Sequence, residues 1–261
     1  MRLRLRALLV GTRFESLASE LRWYGKALHR YRFPEMREAE LEERRLADVL
    51  RKLSLPPDAR CIDVGGHIGS FTSLLYRLFP SAKCTVVEAS PTKAQWLKRK
   101  FPHADIHAVA VANRPGRATF EDNLSMPGYS RLLNSGNRSA TNSYYEVEVT
   151  TLDDLFADLI RLDLLKIDIE GGELNALKGA TRIITTKCPI ILFEVGSEYA
   201  LERHGLSRRD LYDHLTRIGY DVFTFTDVLF DKPPMEFGEF IKCGLWPFRA
   251  FNFVARPKAK L

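Results

Sequence analysis

The stretch Cys61-Ile62-Asp63-Val64-Gly65-Gly66-His67-Ile68-Gly69 constrains this chain more than any other. A short apolar run meets an acid, then glycines, then a helical stripe of Phe71, Leu74, Leu75 and Leu78. Strand, tight turn and helix in that order form the repeating unit of parallel α/β sheets, whose ligands bind at the carboxyl ends of the strands. A dinucleotide-binding turn reads G-x-G-x-x-G, so that backbone amides approach a pyrophosphate. Gly65, Gly66 and Gly69 do not fit that spacing, and Asp63 would face the phosphates at close range. A nicotinamide oxidoreductase is therefore disfavoured. A ligand with a cationic tail suits the position better.

The rhythm continues along the chain. Strands are expected at Arg60–Val64, Lys83–Val87, Asp105–Val111, Leu164–Ile169 and Ile190–Val195, the last a near-continuous apolar run suited to the buried centre of a parallel sheet. Helices alternate with them. One spans Lys93–Phe101. Another is expected over Leu152–Arg161 with Thr151 as N-cap, and a third begins at Glu173. Ser207–Ile218 carries a Ser207/Asp210 capping pair and stops at Gly219. Tyr220–Phe225 and Phe251–Arg256 are joined by a Pro-rich segment read as non-helical, so they are expected to pair antiparallel. The fold class is α/β: a doubly wound, mostly parallel seven-stranded Rossmann-like sheet with an antiparallel C-terminal hairpin. Residues 1–55 form an N-terminal helical extension and 56–261 the main domain. Asp122–Ser143, rich in Asn, Ser and Gly, breaks the rhythm between short strands at Ala118–Phe120 and Tyr144–Thr150. Its length and composition suggest a lid over a site.

In the extension, Leu17, Leu21, Tyr24 and Leu28 recur at helical steps, with Lys and Arg on the opposite face. Such a helix can lie on a membrane surface; the favoured expectation is that its apolar face packs on its own domain. The net charge of +6 is read as a solvated surface, with no nucleic-acid partner expected. No apolar run approaches the roughly 20 residues of a membrane span. The basic start leads into only Ala7–Val10, so no export signal is read and a cytoplasmic protein is expected. Cys61 and Cys84 fall in predicted core strands, as buried thiols.

Glu88 ends the second strand. A carboxylate there can accept hydrogen bonds from both hydroxyls of an adenosine ribose. Asp63 before a glycine turn of the form D-x-G-x-x-x-G, with Glu88 one strand over, points to S-adenosylmethionine as cofactor. His67 in the turn, Ala89 and Ala110 join Asp63, Gly65, Gly69 and Glu88 as its candidate contacts. The second dense cluster is Lys166-Ile167-Asp168-Ile169-Glu170-Gly171-Gly172-Glu173. Asp168 interrupts an apolar strand, and Asp168 and Glu170 can both reach the edge where a methyl group is delivered. They are the candidate catalytic residues, to orient or deprotonate an acceptor. Glu173 fits a helix N-terminal acid. Glu194 ends another central strand near the same edge. No metal-ligand set is assigned.

Asp63–Gly69, Glu88-Ala89-Ser90-Pro91, Thr151-Leu152-Asp153-Asp154 and Lys166–Glu173, followed by Leu177-Lys178-Gly179-Ala180, together resemble the FkbM-family methyltransferases. The resemblance implies a class I S-adenosylmethionine-dependent fold and, usually, O-methylation of a hydroxyl on a small molecule, glycan or glycolipid. It places Asp63, Gly65, Gly69 and Glu88 at the cofactor, and Asp168 and Glu170 in the reaction cleft. Ala89 and Gly172 stand where the family commonly has proline and alanine. Two other readings are weaker. A nucleic-acid methyltransferase acting on base amino groups would carry an Asn/Asp-Pro-Pro-Tyr-like turn where this chain has Asp168-Ile169-Glu170-Gly171. A non-catalytic Rossmann-like binding protein would have no need of Asp168 and Glu170 together.

Overall fold

Arg60–Val64 forms β1, flanked in parallel by β2 (Lys83–Val87) and β8 (Leu164–Ile167). In the computed structural model, which describes residues 7–123, 130–133, 142–196, 201–202 and 206–258, they belong to a seven-stranded sheet. Its order is β10-β11-β9-β8-β1-β2-β3, with β3 at Asp105–His107, β9 at Ile190–Glu194, β10 at Tyr220–Thr224 and β11 at Asn252–Pro257. β11 alone runs antiparallel, between β9 and β10, as the C-terminal pairing predicts. The central parallel strands are mostly apolar because helices cover both faces, with Asp63 in β1 and Lys166 in β8 as exceptions. One core layer gathers Ile62, Val64, Leu165, Ile167 and Phe193; the other gathers Cys61, Cys84, Val86, Leu164 and Val254. Burial drives the Cys61 thiol up to about 12, so it stays protonated and structural.

A second sheet branches from the first. The expected third strand splits after His107, and β4 (Ala110–Val111) pairs in parallel with β7 (Ser143–Thr150). β7 also pairs antiparallel with β5 (Gly116–Asp122), which carries β6 (Arg131–Leu133) on its far edge. The strands framing 122–143 are thus longer than expected, and part of that segment is itself a strand. Residues 124–129 and 134–141, the bulk of the expected lid, lie outside the described residues.

Local chemistry explains three departures from the pattern. The helix expected over Leu152–Arg161 stops at Leu155. Thr151 caps its start, accepting from Asp154 N at 2.9 Å. The Arg182 guanidinium then takes the carbonyls of Asp153, Phe156 and Ala157, which a longer helix would need for itself. Between β10 and β11 the Pro-rich segment holds helices Phe225–Leu229 and Phe237–Cys243. The first is nucleated by a Thr224/Asp227 capping box hidden at the end of the strand.

The third departure is in the extension. Leu46–Lys52 is sewn into the main core through Val49 and Leu50. Helix Glu15–Gly25 and its continuation Ala27–Arg32 instead leave Leu17, Leu21, Tyr24 and Leu28 exposed. The opposite face makes the contacts: Arg30 and Arg44 stack on Trp23, Glu20 pairs with Arg44 at 2.5 Å, and Glu15 accepts from Ser73 at 2.5 Å. Cation–π and ionic contacts hold the helix by its polar side, so its apolar stripe faces away from the domain. No helix among the described residues is long and apolar enough to cross a membrane.

The turn after β1 depends on Gly65. Its φ is +86°, and a Cβ there would stand 1.9 Å from the Asp168 carbonyl oxygen. Gly65→Ala is expected to cost roughly 2–4 kcal/mol of unfolding free energy, from left-handed strain plus the backbone clash. Gly116→Ala, whose Cβ meets nothing within 4 Å, is expected to change stability by less than about 0.5 kcal/mol. Paired denaturant midpoints check both.

Candidate active site

The carboxyl ends of β1, β2, β8 and β9 open onto a cleft of about 1390 Å³, whose far wall comes from the second sheet. Gly65, His67, Glu88, Ala89 and Ala110 line it among the expected cofactor contacts, and Asp168 and Glu170 among the expected catalytic residues. Glu194 also lines it. Two expected contacts lie elsewhere. Asp63 is fully buried beneath the glycine turn, where its Oδ2 accepts from Thr72 Oγ1 at 2.8 Å and its Oδ1 meets Lys166 Nζ at 3.3 Å. Gly69 opens the following helix against Phe101; a Cβ would come within 2.2 Å of that ring.

Lys166 is the residue that sequence reasoning passed over. It sits in register with Asp63 on the neighbouring strand and reaches Asp168 Oδ2 at 3.1 Å. Burial disfavours a charged lysine, yet two carboxylates hold it cationic. The available signal was a lysine inside an apolar strand, two residues before an acid. Through Lys166 the buried Asp63 is tied to the cleft carboxylate Asp168.

Glu88 sits at the cleft's inner end. One oxygen accepts from His67 N at 2.7 Å and the other from Ser90 N at 2.8 Å. These bonds lock the carboxylate across the mouths of β1 and β2, and each oxygen keeps a second lone pair for a ribose hydroxyl. Burial raises its pKa, and Lys93 and the two amides work against that rise. His67 is held with φ +49°, so the glycine turn contains three left-handed residues in five: Gly65, His67 and Gly69.

On the β8 side the acids divide by environment. Burial works to raise Asp168, but Lys166 and a hydrogen bond from Glu194 outweigh it and keep Asp168 ionised below the usual range. Glu194 goes the other way: burial and the Asp168 charge push it well above the carboxylate range, so it carries the proton the pair shares. Glu170, in the left-handed region at φ +57°, is driven up to about 8 by burial and then by Asp168 and Glu173. Glu173 is raised to about 7, mainly by burial. It accepts from Ile169 N at 3.0 Å and from Gly171 N at 3.0 and 3.1 Å, bracing the turn that presents Glu170. Glu173 stands at the first position of its helix, as expected, but its oxygens take amides of the preceding turn rather than of the helix itself. Left-handed, non-glycine backbone at a cleft is where strain and function tend to coincide.

Glu88, Asp168, Glu170 and Glu194 gather acid at the strand-end side of the cleft, where it complements a sulfonium cation. S-adenosylmethionine therefore fits these residues. Gly65 and His67 would run beside it, Glu88 would hold its ribose, and Ala89 and Ala110 would flank its base.

Residues 63–222 match the FkbM methyltransferase domain. Methyltransferase 1 of Beauveria bassiana is 26% identical over 148 residues, covering 48% of this chain and 59% of that protein. Methyltransferase sdnD of Sordaria araneosa is 27% identical over 160 residues, covering 48% of this chain and 62% of that protein. The chain thus spans only about 60% of the length of these two curated relatives. Part of the AMB antimetabolite synthetase AmbE of Pseudomonas aeruginosa is 26% identical over 222 residues, which are 68% of this chain and 10% of that protein. Among solved structures, the methyltransferase FkbM of Methylobacillus flagellatus KT is similar with a TM-score of 0.49 and 16% identity, over 78% of this chain and 47% of that one. The domain match runs from Asp63 through the glycine turn and both acidic strand ends to Val222, and the chain belongs to the FkbM methyltransferase family.

Proposed function

We propose that this methyltransferase acts on oxygen, methylating a hydroxyl of a small molecule, glycan or glycolipid. The observation that carries the reading is the contrast between Glu170 and Asp168 on one cleft wall. An alcohol becomes a competent nucleophile as its proton leaves, and a general base works best with a pKa near the working pH. Glu170, near 8, meets that condition. Asp168, held ionised by Lys166, is too weak a base and is suited to orienting the acceptor.

When bound, S-adenosylmethionine supplies a methyl group on sulfonium sulfur, which leaves as a neutral thioether. Glu88 holds the ribose end and fixes the depth of the donor in the cleft. Asp168 orients the acceptor by accepting from a neighbouring polar hydrogen, which leaves the single proton of the reacting hydroxyl to Glu170. Glu170 takes the proton as the oxygen–carbon bond forms. Asp63 acts as a positioning residue through Lys166. The similarity to part of an antimetabolite synthetase supports a small-molecule acceptor.

Two outcomes are expected. The rate at saturating donor and acceptor rises with pH through about 8, because only the Glu170 carboxylate, populated above its pKa, accepts the proton. Glu170→Gln lowers that rate by roughly 10²–10⁴-fold and flattens the rise. A variant that keeps the wild-type profile would show that another group is the base. Secondly, comparing metabolites of cells with and without the protein is expected to reveal a hydroxylated compound and its counterpart one methylene heavier, with label from methyl-labelled donor on oxygen. Label on nitrogen or carbon would overturn the assignment to oxygen.

A further inference from the structure

The apolar stripe of the N-terminal helices is continuous and faces solvent. Phe14, Leu17, Leu21, Tyr24, Leu28 and Tyr31 are between 49% and 86% exposed. Backbone bonds from Lys26 N to Arg22 O and from Arg30 N to Lys26 O carry the helical path across the junction at Lys26. At about 100° per residue the six side chains fall on one face roughly 100° wide. From Glu15 to Arg32 that face is roughly 27 Å long. Scattered exposed apolar residues need no explanation, but an aligned row of leucines and aromatics does.

The same stretch of sequence carries the chain's excess charge. Residues 1–34 hold eight Lys or Arg and two Glu, and the remainder of the chain balances, so the entire formal net charge of +6 belongs to this segment. We propose that this face docks the enzyme on an anionic lipid surface, with the helix axis in the plane of the interface. Leucines would enter the acyl boundary, and Tyr24, Tyr31 and Phe14 would sit at headgroup level, where aromatic rings are favoured. Arg13 and Arg32 border the stripe and would meet anionic headgroups, adding an attraction that salt screens. The charge argues against other partners. A second copy packed through the same face would bring like charge against like charge. A nucleic acid would need cations at the centre of the face, where Leu21, Tyr24 and Leu28 stand.

The test is cosedimentation of the full chain with phosphatidylcholine vesicles and with phosphatidylcholine–phosphatidylserine vesicles. At least roughly tenfold stronger binding to the anionic vesicles is expected, weakening as salt is raised. Leu21→Ser combined with Leu28→Ser is expected to weaken that binding roughly tenfold or more while leaving the unfolding midpoint unchanged, because both side chains are exposed. Absence of binding to anionic vesicles overturns the proposal. So does binding that the double variant retains in full, or a lipid-free dimer that the same substitutions abolish.

Discussion

A buried lysine organises this site. Lys166 stands between Asp63 and Asp168, at 3.3 and 3.1 Å, in a region where none of the three charges is fully solvated. Isolated, each would be expensive to bury; together they are mutually required, and removing one partner would leave an uncompensated charge. Thr72 completes the shell of Asp63 by donating a hydrogen bond, and Glu194 completes that of Asp168. The chain of contacts spans β1, β8 and β9, so the strand ends that form the cleft floor are fixed relative to one another by electrostatics as well as by the sheet ladder.

The same arrangement differentiates the acids. Asp168, Glu170 and Glu194 crowd one wall of the cleft, and they cannot all ionise at neutral pH without strong mutual repulsion. Lys166 decides which one stays charged. Asp168 keeps its charge, Glu194 takes up a proton, and Glu170, without so close a cation, is left near neutrality. A cleft wall that sets a fixed anion, Asp168, beside a titratable base, Glu170, is suited to delivering a cationic methyl donor to a nucleophile that must lose a proton.

The legible and illegible parts of this fold separate by range. Asp63, Gly65 and Gly69 mark a strand–turn–helix unit because turn chemistry is local, and Glu88, Asp168 and Glu170 stand at the sheet edge because the βα rhythm counts them there. The direction of the Asp63 carboxylate was not legible, since it is set by Lys166 arriving from a strand far along the chain. Non-local contacts explain the other differences as well. Arg182 shortens the helix after Thr151 by taking its carbonyls, and β7 draws Ala110 and Val111 out of the main sheet. Leu17, Leu21, Tyr24 and Leu28 read correctly as one helical face, but amphipathic spacing says nothing about what covers that face. Trp23, packed under Arg30 and Arg44, turned it outward.

Lys166 is proposed to build the donor site from beneath, through Asp63 and Asp168. Calorimetric titration with S-adenosylmethionine of the native chain and of Lys166→Met, each below its unfolding midpoint, tests this most directly. The native chain is predicted to bind, and the variant to bind at least roughly tenfold more weakly as Asp63 and Asp168 lose their shared partner. Equal affinities, or no heat of binding from the folded native chain, would contradict it.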